Sequence, residues 1–283
     1  MEIMIREWTM ADTAAVLRIP TAADDKYSRG VVALRTGSAA YPGAAVLGVE
    51  AAWRTGAGYV RYLGGAPDAV LARRPETVVG DEIGRTRVGA WVIGSGTDAA
   101  HRSEHEQTAL RRVLSGRTPV VVDAGALDLA QEAVAPLVLT PHGGELDRLC
   151  EQLGIARPQE AASGSPEHRA AASIEVARML HAVVLCKGAR TLIASPDGRT
   201  IAVTDAPAWL ATAGTGDVLA GILGTLLAAA PGRPHEEVAA AAAWLHGFAA
   251  AIASGARDGA VGHPIVAMDV AEALPAAIAE LIA

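Results

Sequence analysis

The chain has 283 residues, of which 51% are hydrophobic, 19% charged and 4% aromatic. A length of this kind suits one large domain or two ordinary ones, and the apolar content excludes a disordered chain. The formal net charge of −7 argues against a nucleic-acid partner, because nonspecific binding to phosphates requires clustered basic residues.

Short β-branched runs alternate with longer segments rich in Ala and Leu, a pattern typical of βαβ units and a mainly parallel sheet. We predict strands at 31–34, 59–62, 91–93, 120–122, 137–139 and 182–186, and a hairpin of 191–194 with 200–204. The predicted helices cover 43–54, 101–114, 144–153, 214–230, 235–254 and 267–282. Residues 157–168, rich in Pro, Ser, Gly and Glu, predict a surface loop. The alternation of strands and helices continues beyond this loop, which favours one domain.

The sequence also predicts a cytoplasmic protein with no membrane partner. The longest apolar run, Val238 to Ala253, is dominated by alanine and falls short of the roughly 20 residues that span a bilayer. The charged N-terminus is followed by no apolar stretch, so we expect no signal peptide. Cys150 and Cys186 have neither CxxC nor metal-ligand spacing, which favours two buried thiols.

Residues 211–217 (ATAGTGD) form the strongest motif and lead directly into a predicted helix. Its glycines let the backbone approach an anion, and the free N–H groups of the first helical turn can bind phosphate oxygens. Asp217 falls in that turn, where it either caps the helix or activates a hydroxyl for attack on phosphorus.

Two further motifs follow predicted strands. Residues 185–191 (LCKGART) place Lys187 at a strand end before a glycine, where it can lean over a nucleotide or simply be solvated in a turn. Residues 140–145 (TPHGGE) place His142 and Glu145 at the start of a helix. Glu145 can stabilise the helix dipole or hold a water on Mg²⁺, and His142 can donate to a substrate or be incidental.

Three other patterns are weaker. Residues 37–45 (GSAAYPGAA) put small side chains at a helix N-terminus, which leaves room for a ligand or for tight packing. Residues 94–99 (GSGTDA) resemble a dinucleotide fingerprint, but they lie mid-chain and the next strand-end acid, Asp123, comes too late. His101 and His105 have helical metal-ligand spacing without a third ligand, so a solvated helix face is favoured.

Taken together, these motifs resemble the ribokinase-like superfamily and, within it, the ADP-dependent NAD(P)H-hydrate dehydratase family, whose domain is also known as YjeF C-terminal or carbohydrate-kinase-like. The similarity runs from Lys26 to the last helix. It is most specific in residues 26–30 (KYSRG), 37–38 (GS) with 41–45 (YPGAA), 139–142 (LTPH) with Glu145, and 213–221 (AGTGDVLAG). It implies a three-layer α/β/α sandwich with a mainly parallel central sheet. Residues 1–25 are then an N-terminal extension and 26–283 the dehydratase domain.

The resemblance implies an enzyme that uses ADP to dehydrate the S epimers of hydrated NADH and NADPH, restoring NAD(P)H with release of AMP and phosphate. It makes Asp217 the catalytic residue and Mg²⁺ the cofactor, held with the help of Glu145. The implied substrate-binding residues are Ala44, Gly96, His142 and Asp217. The implied nucleotide-binding residues are Lys187, Gly188, Ala189, Arg190, Thr191, Gly214, Thr215 and Gly216.

The resemblance further suggests a homotetramer that works with a separate NAD(P)H-hydrate epimerase, since residues 1–25 are too few for an epimerase domain. One departure is residues 206–210 (APAWL), where many family members have Gly-Asn-x-Gly-Met. Two alternatives stay open: a ribokinase-like kinase of a small alcohol or vitamin precursor, and a non-catalytic nucleotide sensor.

Overall fold

The computed structural model describes residues 4–155 and 165–283. In chain order its strands are β1 (Ile5–Glu7), β2 (Val31–Arg35), β3 (Tyr59–Tyr62), β4 (Val78–Val79), β5 (Ala90–Ile93), β6 (Val120–Val122), β7 (Leu137–Leu139), β8 (Val183–Cys186), β9 (Thr191–Ala194) and β10 (Thr200–Val203). Its α-helices are α1 (Met10–Val16), α2 (Pro42–Arg54), α3 (Pro67–Arg73), α4 (Glu104–Leu114), α5 (Gly143–Gln152), α6 (Pro166–Leu180), α7 (Thr215–Ala229), α8 (His235–Ser254) and α9 (Ala267–Ile282).

The ten strands form one sheet in the order β1-β10-β9-β8-β7-β6-β5-β2-β3-β4. Neighbouring strands are parallel except in the pairs β8–β9 and β9–β10. The predicted mainly parallel sheet and the hairpin are therefore confirmed. Because β8, β7, β6, β5 and β2 are consecutive and parallel, their carboxyl ends meet at one edge.

Helices cover both faces of this sheet, so the molecule has three layers. Along β6, Val120 and Val122 join the core beneath α4, α5 and α6, whereas Val121 joins the core beneath α2, α7, α8 and α9. Successive side chains of a strand point to opposite faces, and a strand buried on both faces is apolar at every position. This explains the uninterrupted valine run.

The alanine-rich helix α8 belongs to the core. Within the described chain it is the one helix that is long and apolar enough to cross a membrane, but 78% of its most apolar window is buried inside the fold. The helix begins at His235 and has 20 residues, so its length alone does not exclude a membrane span. Its burial against α7 and α9 explains its composition instead.

Several boundaries and elements differ from the sequence prediction. The helix predicted from residue 101 begins at Glu104, because Ser103 caps it, and residues 99–101 form a short 3-10 helix. Residues 166–168 belong to α6 rather than to a loop, since the Ser165 hydroxyl accepts the His168 N–H and Pro166 occupies the first turn. The rest of that predicted loop, 157–164, lies outside the described residues.

Other elements have no counterpart in the prediction: β1, α1, α3, β4 and α6. The first two lie in the segment 1–25. There β1 pairs with β10, and Trp8, which is buried, packs into the core under α8. The described part of this segment thus adds to the same sheet.

Candidate active site

The candidate site lies at the carboxyl edge of the parallel strands, where ligands bind in open α/β sheets. Three neighbouring strands are each followed by a polar residue at this edge, and the three side chains meet: Ser95 after β5, Asp123 after β6 and Thr140 after β7. Lys187 follows β8, and its N–H donates to the Pro141 carbonyl at 2.8 Å.

Asp123 is the centre of this arrangement. Its side chain is 4% exposed. Oδ2 accepts the Ser95 hydroxyl at 2.9 Å, and Oδ1 accepts the Thr140 hydroxyl at 2.8 Å and the Lys187 ammonium at 2.8 Å. This buried carboxylate, with its three donors, ties the ends of four neighbouring strands together.

Lys187 is thereby kept charged inside the site. Burial alone would lower the pKa of its ammonium, but the carboxylates of Asp123 and Glu145 raise that pKa above its ordinary value. The Glu145 Oε2 atom lies 3.8 Å from Nζ. The ammonium also lies at the start of α7, since a Cβ built on Gly216 would be 3.5 Å from Nζ.

The glycine motif forms the N-terminus of α7, as predicted. Gly214 is the N-cap with φ of +89°, a conformation that suits glycine, and among the described residues no side chain caps this helix end. An α-helix leaves its first N–H groups without an intrahelical partner. The first turn of α7 therefore offers free donors, and the positive end of the helix dipole, to an anion.

Asp217 lies in that first turn and is half-buried. Burial raises the pKa of its carboxyl to about 6, the Asp123 carboxylate adds to the rise, and Lys187 opposes it. In the part of the chain that the structure describes, neither the hydrogen bonds nor the ion pairs involve this carboxylate. A half-buried, unengaged carboxylate with a raised pKa is suited to accept a proton from a substrate.

His142 and Glu145 begin α5 as a reciprocal cap. The Glu145 Oε2 atom accepts the His142 backbone N–H at 2.8 Å, and His142 Nδ1 accepts the Gly144 N–H at 3.1 Å. His142 Nε2 lies 3.4 Å from Glu145 Oε1, and the imidazole is exposed at the rim of the site. Both residues thus cap the N-terminus of α5, which is one of the two roles that the sequence indicates for them, and the imidazole still faces solvent.

Ala44 and Gly96 come together on the other side of the site. Gly96 has φ of +66°, and a Cβ built on it would overlap the Ala44 Cβ. Beside them lies a cavity of about 580 Å³ between the loop after β5, the segment after β6 and helix α5. The residues that line this cavity include Tyr41, Gly96, Asp98, Glu145 and Arg148, and this lining supports a substrate pocket.

The remaining predicted nucleotide contacts lie in the turn between β8 and β9 and at the start of β9: Gly188 and Ala189 are exposed, and Arg190 and Thr191 are half-buried. The Thr191 hydroxyl closes this turn by donating to the Gly188 carbonyl at 3.2 Å. The Arg190 guanidinium pairs with Glu7 of β1. Among the predicted nucleotide contacts at residues 187–191, Lys187 is the residue whose side chain the structure brings to Asp217.

Residues 206–210, which depart from the family motif, lead into the glycine motif. They include a short 3-10 helix (Ala208–Leu210), and the Trp209 indole N–H donates to the Val261 carbonyl at 2.7 Å. A second cavity, of about 600 Å³, lies between this segment and residues 256–261. Trp209 thus links the two walls of that cavity.

Sequence reasoning missed Asp123 and Ser95 as members of this site. Asp123 directly follows a predicted strand and Ser95 lies two residues after another, so the sequence places both at the ligand-binding edge. In the sequence, Asp123 stands out only as the acid that follows the fingerprint-like residues 94–99. Its contact with Lys187 depends on strand order, which local sequence does not contain.

Fold and site together define the class. A mainly parallel sheet between two helical layers is the ribokinase-like architecture, and here a free helix N-terminus, a lysine and an unengaged carboxylate lie at its edge. Within this class the chain belongs to the NAD(P)H-hydrate dehydratase family, whose family model matches residues 32–266. The expected fold and family are both confirmed.

Individual relatives agree with this assignment. The chain is 41% identical over 239 residues to the bifunctional NAD(P)H-hydrate repair enzyme Nnr of Mycobacterium tuberculosis, covering 81% of this chain and 47% of the relative. It is 38% identical over 239 residues to the ADP-dependent (S)-NAD(P)H-hydrate dehydratase of Neisseria meningitidis, covering 78% and 76%. The chain spans about half the length of the bifunctional relatives it matches.

A solved structure shares the whole fold. It is the ADP/ATP-dependent NAD(P)H-hydrate dehydratase of Bacillus subtilis, co-crystallised with ATP/Mg²⁺. The TM-score is 0.82 at 27% identity, and the match covers 99% of this chain and 100% of that one.

Proposed function

We propose that this chain dehydrates the S epimers of hydrated NADH and NADPH at the expense of ADP, restoring NAD(P)H and releasing AMP and phosphate. The observation that carries the proposal is the Asp217 carboxylate, unengaged within the described residues, with its pKa raised to about 6, in the first turn of α7 beside Lys187. The names of the Neisseria and Bacillus relatives support the substrate and the nucleotide.

In the proposed reaction, Asp217 accepts the proton of the hydroxyl on C6 of the hydrated ring. The C6 oxygen then attacks the terminal phosphorus of ADP, and AMP leaves. The C6–O bond breaks with phosphate as the leaving group while a proton is lost from C5, which restores the ring double bond. Phosphorylation is needed because hydroxide is a poor leaving group.

The surrounding residues bind and stabilise charge in this scheme. The N–H groups of Gly214, Thr215 and Gly216 and the Lys187 ammonium face the transferring phosphoryl group, where preorganised donors stabilise developing negative charge. Nucleotide contacts at Gly188, Ala189, Arg190 and Thr191 remain part of the proposal. The support for them is their position in the turn after Lys187.

The hydrated dinucleotide is assigned to the opposite side of Asp217. Ala44 and Gly96 form a wall of small residues there, with His142 at the rim and the cavity of about 580 Å³ alongside. Small side chains on both loops leave room for a bulky ring. His142 can donate to a hydroxyl or amide through its exposed imidazole.

The donor set suits a Mg²⁺ ion that arrives with phosphates rather than one held in a protein cage. Among the described residues no three His, Cys, Asp or Glu side chains form a ready metal site. Mg²⁺ is commonly held by one or two carboxylates together with substrate phosphates. Glu145 is the proposed protein ligand, and the ion would neutralise phosphate charge.

The proposal extends to partners and setting. The enzyme would be a cytoplasmic homotetramer and would receive its S epimer from an NAD(P)H-hydrate epimerase. The bifunctional relatives, whose length is about twice the matched segment, support a second repair activity working alongside this one.

The test is a product balance. Hydrated NADH, ADP and Mg²⁺ incubated with the protein should yield NADH, AMP and phosphate in equal amounts by chromatography. A kinase of a small alcohol would instead leave a stable phosphorylated product. Absence of NADH with both ADP and ATP would refute the proposal.

A further inference from the structure

Asp123 has no place in the proposed reaction, although it contacts three other residues at the edge of the site. Its Oδ1 atom accepts the Lys187 ammonium at 2.8 Å and the Thr140 hydroxyl, while its Oδ2 atom accepts the Ser95 hydroxyl. The carboxylate is buried on the strand side of the site. It is fixed by the two hydroxyls and therefore gives Lys187 a stationary partner.

The charges around Lys187 show why that partner matters. Two other carboxylates face the ammonium: Glu145 of α5, at 3.8 Å, and Asp217 of α7. Of these, Glu145 is already engaged in capping α5. If Asp123 carried no charge, Asp217 would be the free carboxylate available to the ammonium.

We infer that Asp123 is a positioning residue that holds the Lys187 ammonium on the strand side of the site, which leaves Asp217 free to accept a proton. An ion pair between Lys187 and Asp217 would engage the base and stabilise its ionised form, which makes it a weaker proton acceptor. This inference rests on the proposed role of Asp217.

The first test is Asp123→Asn. Asparagine has the same shape, its carbonyl accepts from Thr140 and its amide can donate to the Ser95 hydroxyl, so the side chain stays in place while the charge that holds the Lys187 ammonium is lost. We expect kcat to fall about 10- to 100-fold, because part of the contribution of a general base is lost. KM for ADP should change less than about threefold, as the amides of α7 are untouched.

Glu106→Gln is the matched control. It neutralises another carboxylate that pairs with a basic strand-end residue, Arg35, at 2.6 Å. Its kcat should stay within about twofold of wild type, since the pair has no contact with Lys187. An equal loss of kcat in Glu106→Gln would show that neutralising any ion pair at this edge of the sheet is sufficient, and that result would overturn the inference.

A double-mutant cycle tests whether Asp123 acts through Lys187. In a Lys187→Met background there is no ammonium to release, so Asp123→Asn should change kcat less than about twofold. Additive effects of the two substitutions would contradict the inference.

Nuclear magnetic resonance gives a readout that does not depend on turnover. Lysine labelled with nitrogen-15 reports only Lys26 and Lys187, and the exposed Lys26 serves as the reference. Asp217→Asn should leave the Lys187 ammonium signal in place in the wild-type background and shift it in the Asp123→Asn background. An equal response in both backgrounds would overturn the inference, whereas a wild-type protein without dehydratase activity would refute the proposed function alone.

Discussion

Gly96 lies so close to Ala44 that a Cβ on Gly96 would overlap the Ala44 side chain. The two residues come from the loop after β5 and the first turn of α2, and the Gly37 N–H donates to the Ser95 carbonyl at 2.7 Å beside them. This close approach brings two sides of the proposed dinucleotide pocket together. It also explains why small residues are needed on both of its sides.

Gly96→Ala should therefore damage activity beyond its effect on stability. We expect kcat/KM for hydrated NADH to fall at least about tenfold, because the added methyl pushes Ala44 and the α2 terminus away. Gly84→Ala is the control, since Gly84 has a similar φ of +61° and nothing within 4 Å of an added Cβ. Both variants should lose about 1 kcal/mol of stability from the left-handed backbone. Gly96→Ala should lose more than this because the Ala44 side chain must also shift, and only Gly96→Ala should lose activity. Equal kinetic losses would contradict the assignment of this wall to the substrate.

Asp217→Asn should separate chemistry from binding. Loss of the base should lower kcat by about 100- to 10,000-fold. ADP affinity, measured by calorimetry without the dinucleotide, should stay the same or increase, because a negative charge near the phosphates is removed. A nucleotide sensor without catalysis would show no such loss of turnover.

The pH dependence should follow the ionisation of Asp217. Burial, with Asp123 contributing, raises the pKa of this carboxyl to about 6. The ionised carboxylate is the base, so kcat/KM should be constant well above pH 6. Below about pH 6 it should fall with each further pH unit, because the protonated fraction of Asp217 increases. The measurement is a pH profile with a stability control at each pH. A profile that stays flat down to about pH 5, one unit below the raised value, would exclude Asp217 as the base.

The two lysines provide a matched pair of substitutions. Lys187→Met removes a charge at the start of α7 and should raise KM for ADP about 10- to 100-fold, in line with the loss of a charge-assisted hydrogen bond. Lys26→Met should leave KM unchanged, since Lys26 is exposed and its ammonium packs 5.1 Å from the Tyr27 ring and 5.2 Å from the Tyr59 ring. Similar effects of both would show that Lys187 acts only through overall charge.

Stability in acid should depend on Glu50. Burial would raise the pKa of this fully buried carboxyl, but Arg74, Arg54 and Arg73 lower it to about 2. Because the folded-state pKa lies below the ordinary 4.5, the stabilisation is present above pH 4.5 and is lost as the pH falls toward 2.

Glu50→Gln should therefore cost about 3 kcal/mol near neutral pH, and the difference from wild type should narrow as the pH falls from 4.5 toward 2. The measurement is denaturant unfolding at several pH values. Glu132→Gln breaks the exposed pair with Arg111 and should cost less than about 1 kcal/mol. A constant difference between Glu50→Gln and wild type across that range would contradict the ion-pair explanation.

Much of the fold could be predicted because its periodicity is local. Runs such as Val120–Val122 are apolar at every position only in strands covered on both faces, and α7 to α9 show long apolar segments with clear ends. The elements that were missed are short or lack a clear pattern. Strand β1 has three residues and becomes a strand only by pairing with β10.

The site could be predicted where its functional residues are contiguous in the sequence. The glycine motif and Asp217 specify a helix N-terminus by themselves, and the structure places them there. The pairing of Lys187 with Asp123 joins residues 64 positions apart and follows from the order of β6, β7 and β8. Likewise, Arg190 meets Glu7 only because β1 adds to the hairpin edge of the sheet.

The central claim is tested most directly by following absorbance at about 340 nm, where reduced nicotinamide absorbs and its hydrate does not. A mixture of hydrated NADH, Mg²⁺ and a catalytic amount of the protein should gain this absorbance when ADP is added. Without nucleotide, or with Asp217→Asn, the absorbance should stay flat over the same time. No recovery by the wild-type protein with either ADP or ATP would contradict the account.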